Sequence, residues 1–173
     1  LILSGGPGRT GAARMAARGA LRIGAGLVTL AVPPAAQAEV AAQVTAIMLR
    51  RVGDATALAK VLEDARVHAI GLGPARGLDE DPAALVAAAL GEGRSSSTAA
   101  DGRPHGLGAL RRRSNRSERV VLSGGCLWDQ VLADGLVREL GRVGLEALLP
   151  IQLPPNDGAV SLGQAWIAGL QCS

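Results

Sequence analysis

The sequence has almost no aromatic residues: its 173 residues include two tryptophans and neither tyrosine nor phenylalanine. Any hydrophobic core must therefore consist of leucine, valine, isoleucine and alanine, which are plentiful because 48% of the chain is apolar. The lack of aromatic rings also disfavours a surface that stacks nucleic-acid bases. Lys60 is the single lysine, and the formal net charge of +3 is only a weak argument for a polyanionic partner.

Cysteines and long apolar runs are scarce as well. Cys126 and Cys172 lack CxxC spacing, which indicates neither a disulfide framework nor a zinc cluster, so we expect a reduced, cytoplasmic protein. No run reaches the ~18 uninterrupted apolar residues of a membrane span, and no signal peptide is visible. Because Leu1 lies inside an apolar run and is not methionine, we expect a fragment at the N-terminus.

The first 92 residues alternate short apolar runs with helix-like segments. We predict strands at LILSG, LVTLAVP and VHAIGLG, and helices at GAARMAARGALR, AAQAEVAAQVTAI, DATALAKVLEDA and DPAALVAAAL. Asp54 and Asp81 are the predicted N-caps of the last two helices. Strands that alternate with helices predict a parallel sheet with helices on both faces, in an α/β fold.

The remaining residues form two further segments. Residues 93–118 are polar and rich in glycine and serine without a sustained period, so we predict a linker without ordered structure. Residues 119–173 again suggest strand, helix, strand and helix, at RVVLSGG, CLWDQVLADGLVRELGRVG, LEALLPI and SLGQAWIAGL. The second unit is therefore a small βαβα arrangement, too small to be comfortably stable alone.

Two glycine-rich segments with the sequence LSGG follow predicted strands, at residues 3–6 and 122–125. Neither belongs to a P-loop, because GxxxxGK(S/T) occurs nowhere in the chain. Gly6–Gly11 matches GxGxxG, but the next strand ends in AVPP without the acidic residue that binds ribose in Rossmann domains. A glycine turn is the simpler interpretation, and its backbone N–H groups at the start of the following helix would suit a phosphate.

The first block closely resembles a known family. LILSGGPGRTGAARMAARGALRIGAGLVTLAVPPAAQAEV, then AIMLRRV and AIGLGPARGL, resembles the first half of the ADP- or ATP-dependent NAD(P)H-hydrate dehydratases, over about residues 1–92. The resemblance implies a partial ribokinase-like fold and a lyase that repairs hydrated NAD(P)H by phosphorylating its hydroxyl group and eliminating it. ADP or ATP with Mg²⁺ is the implied cofactor. The implied substrate-binding residues are Gly5, Gly6, Gly11, Ala12, Gly73 and Ala75, where Ala75 replaces a family glycine.

The catalytic half of that family has no counterpart here. It carries a glycine-rich loop that ends in the catalytic aspartate, and no GSGD-like stretch occurs in this sequence. Without such a loop, nothing would stabilise the charge of the transferred phosphoryl group. We therefore assign no catalytic residue and expect no turnover. Whether the chain has any enzymatic activity stays open.

The second block resembles a different family. RVVLSGGCLWDQVLADGLVRELGRVGLEALLPIQLPPNDGAVSLGQAWIA is similar to the C-terminal end of the carbamoyltransferase that matures nickel–iron hydrogenases, over about residues 114–173. This resemblance implies the end of an actin-like ATPase domain, with nucleotide-binding residues Gly124, Gly125 and Asp129, the last in place of a family asparagine. Asp157 in PPNDG is the implied metal ligand, and an ordinary turn is the alternative.

The sequence leaves three functions open. The dehydratase comes first because it covers more of the chain, the carbamoyltransferase tail comes second, and a non-catalytic module that binds nucleic acid through Arg103–Arg119 comes third. We favour a small-molecule nucleotide as the partner, nucleic acid and membrane being disfavoured, and we leave the oligomeric state open. If Ser95–Ser97 use TCN codons, a shifted reading frame would encode three apolar residues there, and Thr98 could become Asp, so a frame slip that joined two gene fragments is an alternative to a genuine linker.

Overall fold

The computed structural model describes residues 1–72, 82–90, 108–112, 119–123 and 125–171. Within these ranges the strands form one seven-stranded sheet in the order β3-β2-β1-β4-β5-β6-β7. The strands are β1 (Ile2–Leu3), β2 (Thr29–Val32), β3 (Met48–Arg51), β4 (Ala69–Leu72), β5 (Gly108–Arg112), β6 (Arg119–Ser123) and β7 (Glu146–Leu148). The helices are α1 (Gly11–Arg22), α2 (Gln37–Ala41), α3 (Ala55–Leu62), α4 (Pro82–Leu90), α5 (Gln130–Arg142) and α6 (Val160–Gln171).

The first four strands are parallel, as the alternating pattern predicted. Ile2 of β1 pairs with Leu30 of β2 on one side and with Gly71 of β4 on the other. The first unit therefore carries the predicted partial ribokinase-like arrangement, and α1 occupies the predicted residues. Helix α3 also begins where predicted, because the Asp54 carboxylate accepts a hydrogen bond from the Ala57 N–H at 2.7 Å and caps the helix.

The segment after β2 differs from the prediction. A helix was expected over AAQAEVAAQVTAI, but a short 3-10 helix at Pro34–Ala36 leads into the five-residue α2, and the next regular element is β3. Strand β3 was not predicted from the sequence. It lies at the edge of the sheet, its residues MLRR are largely exposed, and so its sequence shows no apolar alternation.

The second unit continues the same sheet through an antiparallel pair. Strand β5 is antiparallel to both β4 and β6, and β6 is parallel to β7. Residues 93–118 were predicted to be a linker without ordered structure. Within them, Gly108–Arg112 form strand β5, so the prediction is wrong at these residues. The rest of that segment lies outside the described residues. The division into units 1–92, 93–118 and 119–173 stays a prediction.

The core is divided between the two faces of the sheet. Alternate residues of β2 point to opposite sides, so that Ala31 packs with α3 and α4 whereas Leu30 and Val32 pack with α1 and α2. A third cluster joins β6 to α5 around Val120, Leu122 and Ala133. These three clusters contain no aromatic residue, as predicted. In the described part of the chain, none of the helices combines the length and apolar character needed to cross a membrane.

Candidate functional site

The order of the parallel strands creates a switch point between β1 and β4, where the segments that follow these two strands lead to opposite sides. The chain runs outward from β1 to β2 and β3 and then returns to β4, which lies on the other side of β1. In open α/β sheets, ligands bind beyond the carboxyl ends of the strands at such a switch point. The loop that follows β1 here is residues 4–10, called the glycine-rich loop below. The residues that follow β4, including the predicted site residues Gly73 and Ala75, lie outside the described residues.

The glycine-rich loop is folded tightly against the sheet. Ser4 and Thr10, at its two ends, are completely buried, and the Ser4 N–H donates to the Ala31 carbonyl oxygen at 2.8 Å. The Arg9 N–H donates to the Gly6 carbonyl oxygen at 3.0 Å, which closes a turn. Gly8 within this turn has a φ of 73°, a left-handed conformation that glycine adopts without strain. Hydrogen bonds within the chain therefore fix the shape of the loop backbone.

A carboxylate from α2 contacts this loop at two points. The Gly8 N–H donates to Glu39 Oε2 at 2.8 Å, and Thr10 Oγ1 donates to Glu39 Oε1 at 2.5 Å. The hydrogen bond from the Gly8 N–H, then that from the Thr10 hydroxyl group, and the nearby charge of Arg14 lower the pKa of Glu39. Glu39 is therefore ionised at neutral pH and interacts with the loop as an anion.

Glu39 was not among the residues predicted from the sequence. It lies 29 positions after Thr10 and outside every recognised motif. One signal was available, because Glu39 is the only acidic residue among the first 53 residues. An isolated carboxylate in an otherwise basic and apolar segment is a candidate partner for backbone or hydroxyl donors. The sequence could not show which donors it reaches.

Four predicted substrate-binding residues lie together in and beside the glycine-rich loop. Gly5 is buried, Gly6 is partly exposed, and Gly11 and Ala12 are exposed at the start of α1. A Cβ atom on Gly6 would meet no atom within 4 Å, so packing within the described chain does not require glycine at this position. The space above Gly6 and the exposed helix start form the open side of the site. Backbone N–H groups at a helix start favour an anionic ligand such as a phosphate.

The predicted nucleotide-binding residues of the second unit follow β6. Gly124 lies outside the described residues, and Gly125 begins a short 3-10 helix, Gly125–Trp128. The Asp129 carboxylate accepts hydrogen bonds from the Val131 N–H at 2.9 Å and the Leu132 N–H at 3.3 Å. Asp129 is therefore the N-cap of α5, and its carboxylate already satisfies the donors that a phosphate would otherwise use.

The predicted metal ligand lies in a turn before α6. Asp157 begins a 3-10 helix, Asp157–Ala159, and its side chain lies outside the described part of the structure. Asn156 Oδ1 accepts a hydrogen bond from the Gly158 N–H at 3.0 Å, the geometry of an ordinary Asx turn. Among the side chains that the structure describes, no group of three or more His, Cys, Asp or Glu residues could hold a metal ion.

The two LSGG segments lie at the same edge of the sheet but not at one site. Strand β6 runs parallel to β1, and β4 and β5 lie between them. Three strand spacings of ~4.8 Å place the ends of β1 and β6 about 14 Å apart. Each segment therefore begins its own loop, in agreement with the separate origins inferred from their sequences.

A glycine-rich loop at the switch point of a parallel α/β sheet is typical of proteins that bind phosphorylated ligands. Comparison with known proteins narrows this class. The chain belongs to the NAD(P)H-hydrate dehydratase family, whose model matches residues 1–123. A second model, described as the second subdomain of the carbamoyltransferase Kae1-like domain, matches residues 98–164. Both resemblances found in the sequence are confirmed, and the two matches overlap at residues 98–123.

Individual relatives show the same division. The bifunctional NAD(P)H-hydrate repair enzyme Nnr of Moorella thermoacetica is 41% identical over 93 residues, which cover 49% of this chain and 17% of the relative. Carbamoyltransferase HypF2 of Cupriavidus necator is 51% identical over 49 residues, or 28% of this chain and 6% of the relative. Carbamoyltransferase HypF of Rhizobium leguminosarum bv. viciae is 50% identical over 48 residues, with the same coverage. The matched segments thus span less than a fifth of these relatives. No solved structure matches the chain.

Proposed function

We propose that the first unit binds hydrated NAD(P)H at the glycine-rich loop and the start of α1. The observation that carries this proposal is the position of the loop, at the switch point beside exposed helix N–H groups, in a chain of the dehydratase family. The proposed substrate-binding residues are Gly5, Gly6, Gly11 and Ala12, together with Gly73 and Ala75 of the loop after β4. The backbone donors at Gly11 and Ala12 would bind the substrate diphosphate.

The family reaction also requires a nucleotide, and ADP or ATP with Mg²⁺ is the proposed cofactor. When bound, the nucleotide would supply the phosphoryl group and Mg²⁺ would accompany its phosphates. The chain offers backbone donors for the substrate, but its sequence contains no GSGD-like loop to stabilise the transferred group. We therefore propose that this chain binds the substrate without converting it, in the cytoplasm, and we assign it no catalytic residue.

Replacing Gly6 tests this proposal. Because a Cβ atom at Gly6 meets nothing within 4 Å, Gly6→Ala should leave the unfolding midpoint unchanged while its methyl group obstructs the open side of the site. Titration calorimetry with hydrated NADPH should show binding to the wild type and at least tenfold weaker binding to Gly6→Ala. Gly26→Ala is the matched control, since Gly26 lies outside the loop and a Cβ atom there also meets nothing.

Two results would contradict the proposal. Hydrated NADPH and unmodified NADPH could bind the wild type equally weakly, which would remove the proposed substrate. Alternatively, Gly6→Ala could bind as tightly as Gly26→Ala, which would move the ligand away from the glycine-rich loop.

A second candidate function rests on the match of residues 98–164 to the carbamoyltransferase subdomain. In this proposal Gly124, Gly125 and Asp129 contact ATP and Asp157 is a metal ligand. The N-cap role of Asp129 counts against it, because the carboxylate occupies the donors of α5 and repels phosphate. Calorimetry with ATP and Mg²⁺ separates the two candidates, since binding that depends on Asp157 and not on Gly6 would favour the second. Salt-sensitive retention of DNA would instead support a nucleic-acid-binding module.

A further inference from the structure

Thr10 has the position of a helix cap but not the contacts of one. It occupies the N-cap position of the twelve-residue α1, where a threonine hydroxyl group ordinarily accepts a hydrogen bond from the second or third helical N–H. No side-chain cap is present here, and the hydroxyl group instead donates to Glu39 Oε1. The first turn of α1 therefore has no hydrogen bond from its N–H groups to the Thr10 side chain.

Two observations account for this difference: the Thr10 backbone lies in the right-handed helical region, with φ of -92° and ψ of -12°, and Glu39 accepts the hydrogen bond from its hydroxyl group. A carboxylate is the stronger acceptor, and Glu39 is placed to receive the Thr10 hydroxyl group and the Gly8 N–H with its two separate oxygens. Thr10 is completely buried, so its hydroxyl group requires a partner within the protein, and Glu39 provides it. Gly8 lies at the left-handed position of the turn, so the second hydrogen bond fixes the most unusual backbone conformation of the loop.

The positive charge beside Glu39 belongs to the same arrangement. Arg14 lies one turn into α1, and its Nη1 atom donates to Gln43 Oε1 at 3.3 Å. Its Nη2 atom lies 3.9 Å from the position that a Cβ atom on Gly11 would occupy, so the guanidinium group covers the side of the helix start. The nearby charge of Arg14 favours the ionised form of Glu39, so the carboxylate beside the start of α1 has a positive neighbour.

We propose that Glu39 is the positioning residue of the glycine-rich loop: it holds Gly8 and draws the Thr10 hydroxyl group away from α1, so that the first-turn N–H groups stay open to the ligand. The effect on ligand binding rests on the proposed function, whereas the effect on the free loop does not. Glu39 contacts no ligand in this proposal and acts through Thr10 and Gly8. In this proposal the ligand diphosphate binds the N–H groups of Gly11 and Ala12, whereas the Gly8 N–H stays hydrogen-bonded to Glu39.

The test combines two measurements on five variants, one of which is the double variant Glu39→Ala/Thr10→Val. Glu39→Ala removes both acceptors, Thr10→Val removes the hydroxyl donor, and Thr10→Ser keeps it. Glu63→Gln is the control, because Glu63 is an exposed glutamate at the end of α3. Amide hydrogen exchange of residues 8–13 reports on the free loop, and calorimetry with hydrated NADPH reports on the ligand.

In the free protein, Glu39→Ala should accelerate exchange of the Gly8 N–H at least tenfold, whereas Glu63→Gln should leave it unchanged. Glu39→Ala should weaken binding of hydrated NADPH at least tenfold, because the freed Thr10 hydroxyl group can then cap α1. Thr10→Val, which has no hydroxyl group, and Thr10→Ser, which can still donate to Glu39, should both bind near the wild-type affinity. The double variant should bind more tightly than Glu39→Ala, because it too has no hydroxyl group to cap the helix. Unchanged exchange at Gly8 in Glu39→Ala would overturn the proposal. So would normal affinity of Glu39→Ala for hydrated NADPH.

The two proposals fail in different ways. If the wild type does not bind hydrated NADPH, the proposed function is wrong, and the exchange rates of the free protein alone decide whether Glu39 holds the loop. If the wild type binds and Glu39→Ala binds equally well, the proposed function survives and the role of Glu39 does not. A general loss of folding in Glu39→Ala would appear as accelerated exchange in β6 and α5 as well. Thr10→Val then decides, because it keeps Glu39 and leaves α1 uncapped, so it should bind hydrated NADPH like the wild type, and weaker binding would overturn the proposal.

Discussion

Replacing Asp129 by alanine should destabilise the second unit measurably. The Asp129 carboxylate accepts hydrogen bonds from the N–H groups of Val131 and Leu132, and alanine offers neither acceptor. Loss of an N-cap typically costs about 1 kcal/mol of the free energy of unfolding, within a range of about 0.5–2 kcal/mol. With a urea dependence of ~1–3 kcal/mol per molar, the unfolding midpoint should fall by roughly 0.3–1 M.

Asparagine at the same position provides the matched comparison. Asn is as good an N-cap as Asp, so Asp129→Asn should retain most of the stability and lose only the interaction of the charge with the helix dipole, about 0.3–1 kcal/mol at low salt. Urea unfolding followed by circular dichroism at 222 nm measures both variants, and hydrogen exchange at Val131 and Leu132 localises the effect to α5. Added salt should bring wild type and Asp129→Asn together and leave Asp129→Ala apart.

The same pair of variants separates structure from nucleotide binding. If Asp129 only caps α5, neither variant changes the affinity for ATP. If the second unit binds ATP near this residue, Asp129→Asn should strengthen binding, because it removes a negative charge from the phosphates. An unfolding midpoint for Asp129→Ala equal to that of the wild type, with unchanged exchange in α5, would refute the assignment of Asp129 as the N-cap.

Three further predictions concern stability. Gly135→Ala should raise the free energy of unfolding by about 0.5–1 kcal/mol, because glycine inside α5 is unfavourable and a Cβ atom there meets nothing within 4 Å. Urea unfolding measures this change, and a decrease would show that the space beside Gly135 is occupied. Leu58→Ala should lower it by about 2–5 kcal/mol, since Leu58 is fully buried between α3 and the sheet; a loss below about 1 kcal/mol would contradict this packing. Hydrogen bonds and charge from Arg66 lower the pKa of Asp64 below its ordinary value of 3.8. The ion pair therefore contributes its full stabilisation above pH 3.8, and this stabilisation is lost as the pH falls through the lowered pKa of Asp64. Carboxyl titration by NMR should place the pKa of Asp64 below 3.8 in the wild type and return it toward 3.8 in Arg66→Gln, and equal pKa values in both proteins would contradict the ion pair.

The elements that the sequence predicted well are those whose signal is local. Helix α3 was located by the Asp54 cap and its apolar period, and α1 by an alanine-rich run between two glycine-containing loops. Strand β2 was identified by its β-branched residues before two prolines. In each case the residues that form the element also carry the information that specifies it.

The elements that were missed depend on distant partners. Strand β3 pairs with β2 along one edge, and its exposed MLRR sequence has no apolar period to reveal it. Strand β5 exists through its hydrogen bonds to β4 and β6, in a segment whose composition resembles a linker. Such strands form because a neighbouring strand offers a partner for their backbone groups, and the local sequence does not specify that partner.

The candidate site shows the same division. The position of the glycine-rich loop and of Gly5, Gly6, Gly11 and Ala12 beside one another followed from the order of motifs. Their role as ligand contacts remains a prediction. Glu39 could not be found, because its contribution depends on how α2 packs against the loop. The N-cap role of Asp129 was also missed, since the predicted helix began before this residue and made it an interior position.

The antiparallel strand β5 has a consequence for how the two parts of this chain came to share a sheet. A parallel sheet cut after β4 would present a row of unpaired N–H and C=O groups, which any extended backbone can satisfy. Antiparallel neighbours need no crossover helix between them, and their ladder is made by backbone N–H and C=O groups. The seam at β4, β5 and β6 therefore demands little from the sequences on either side. Segments of separate ancestry can be continuous in one sheet when the backbone alone supplies the connection.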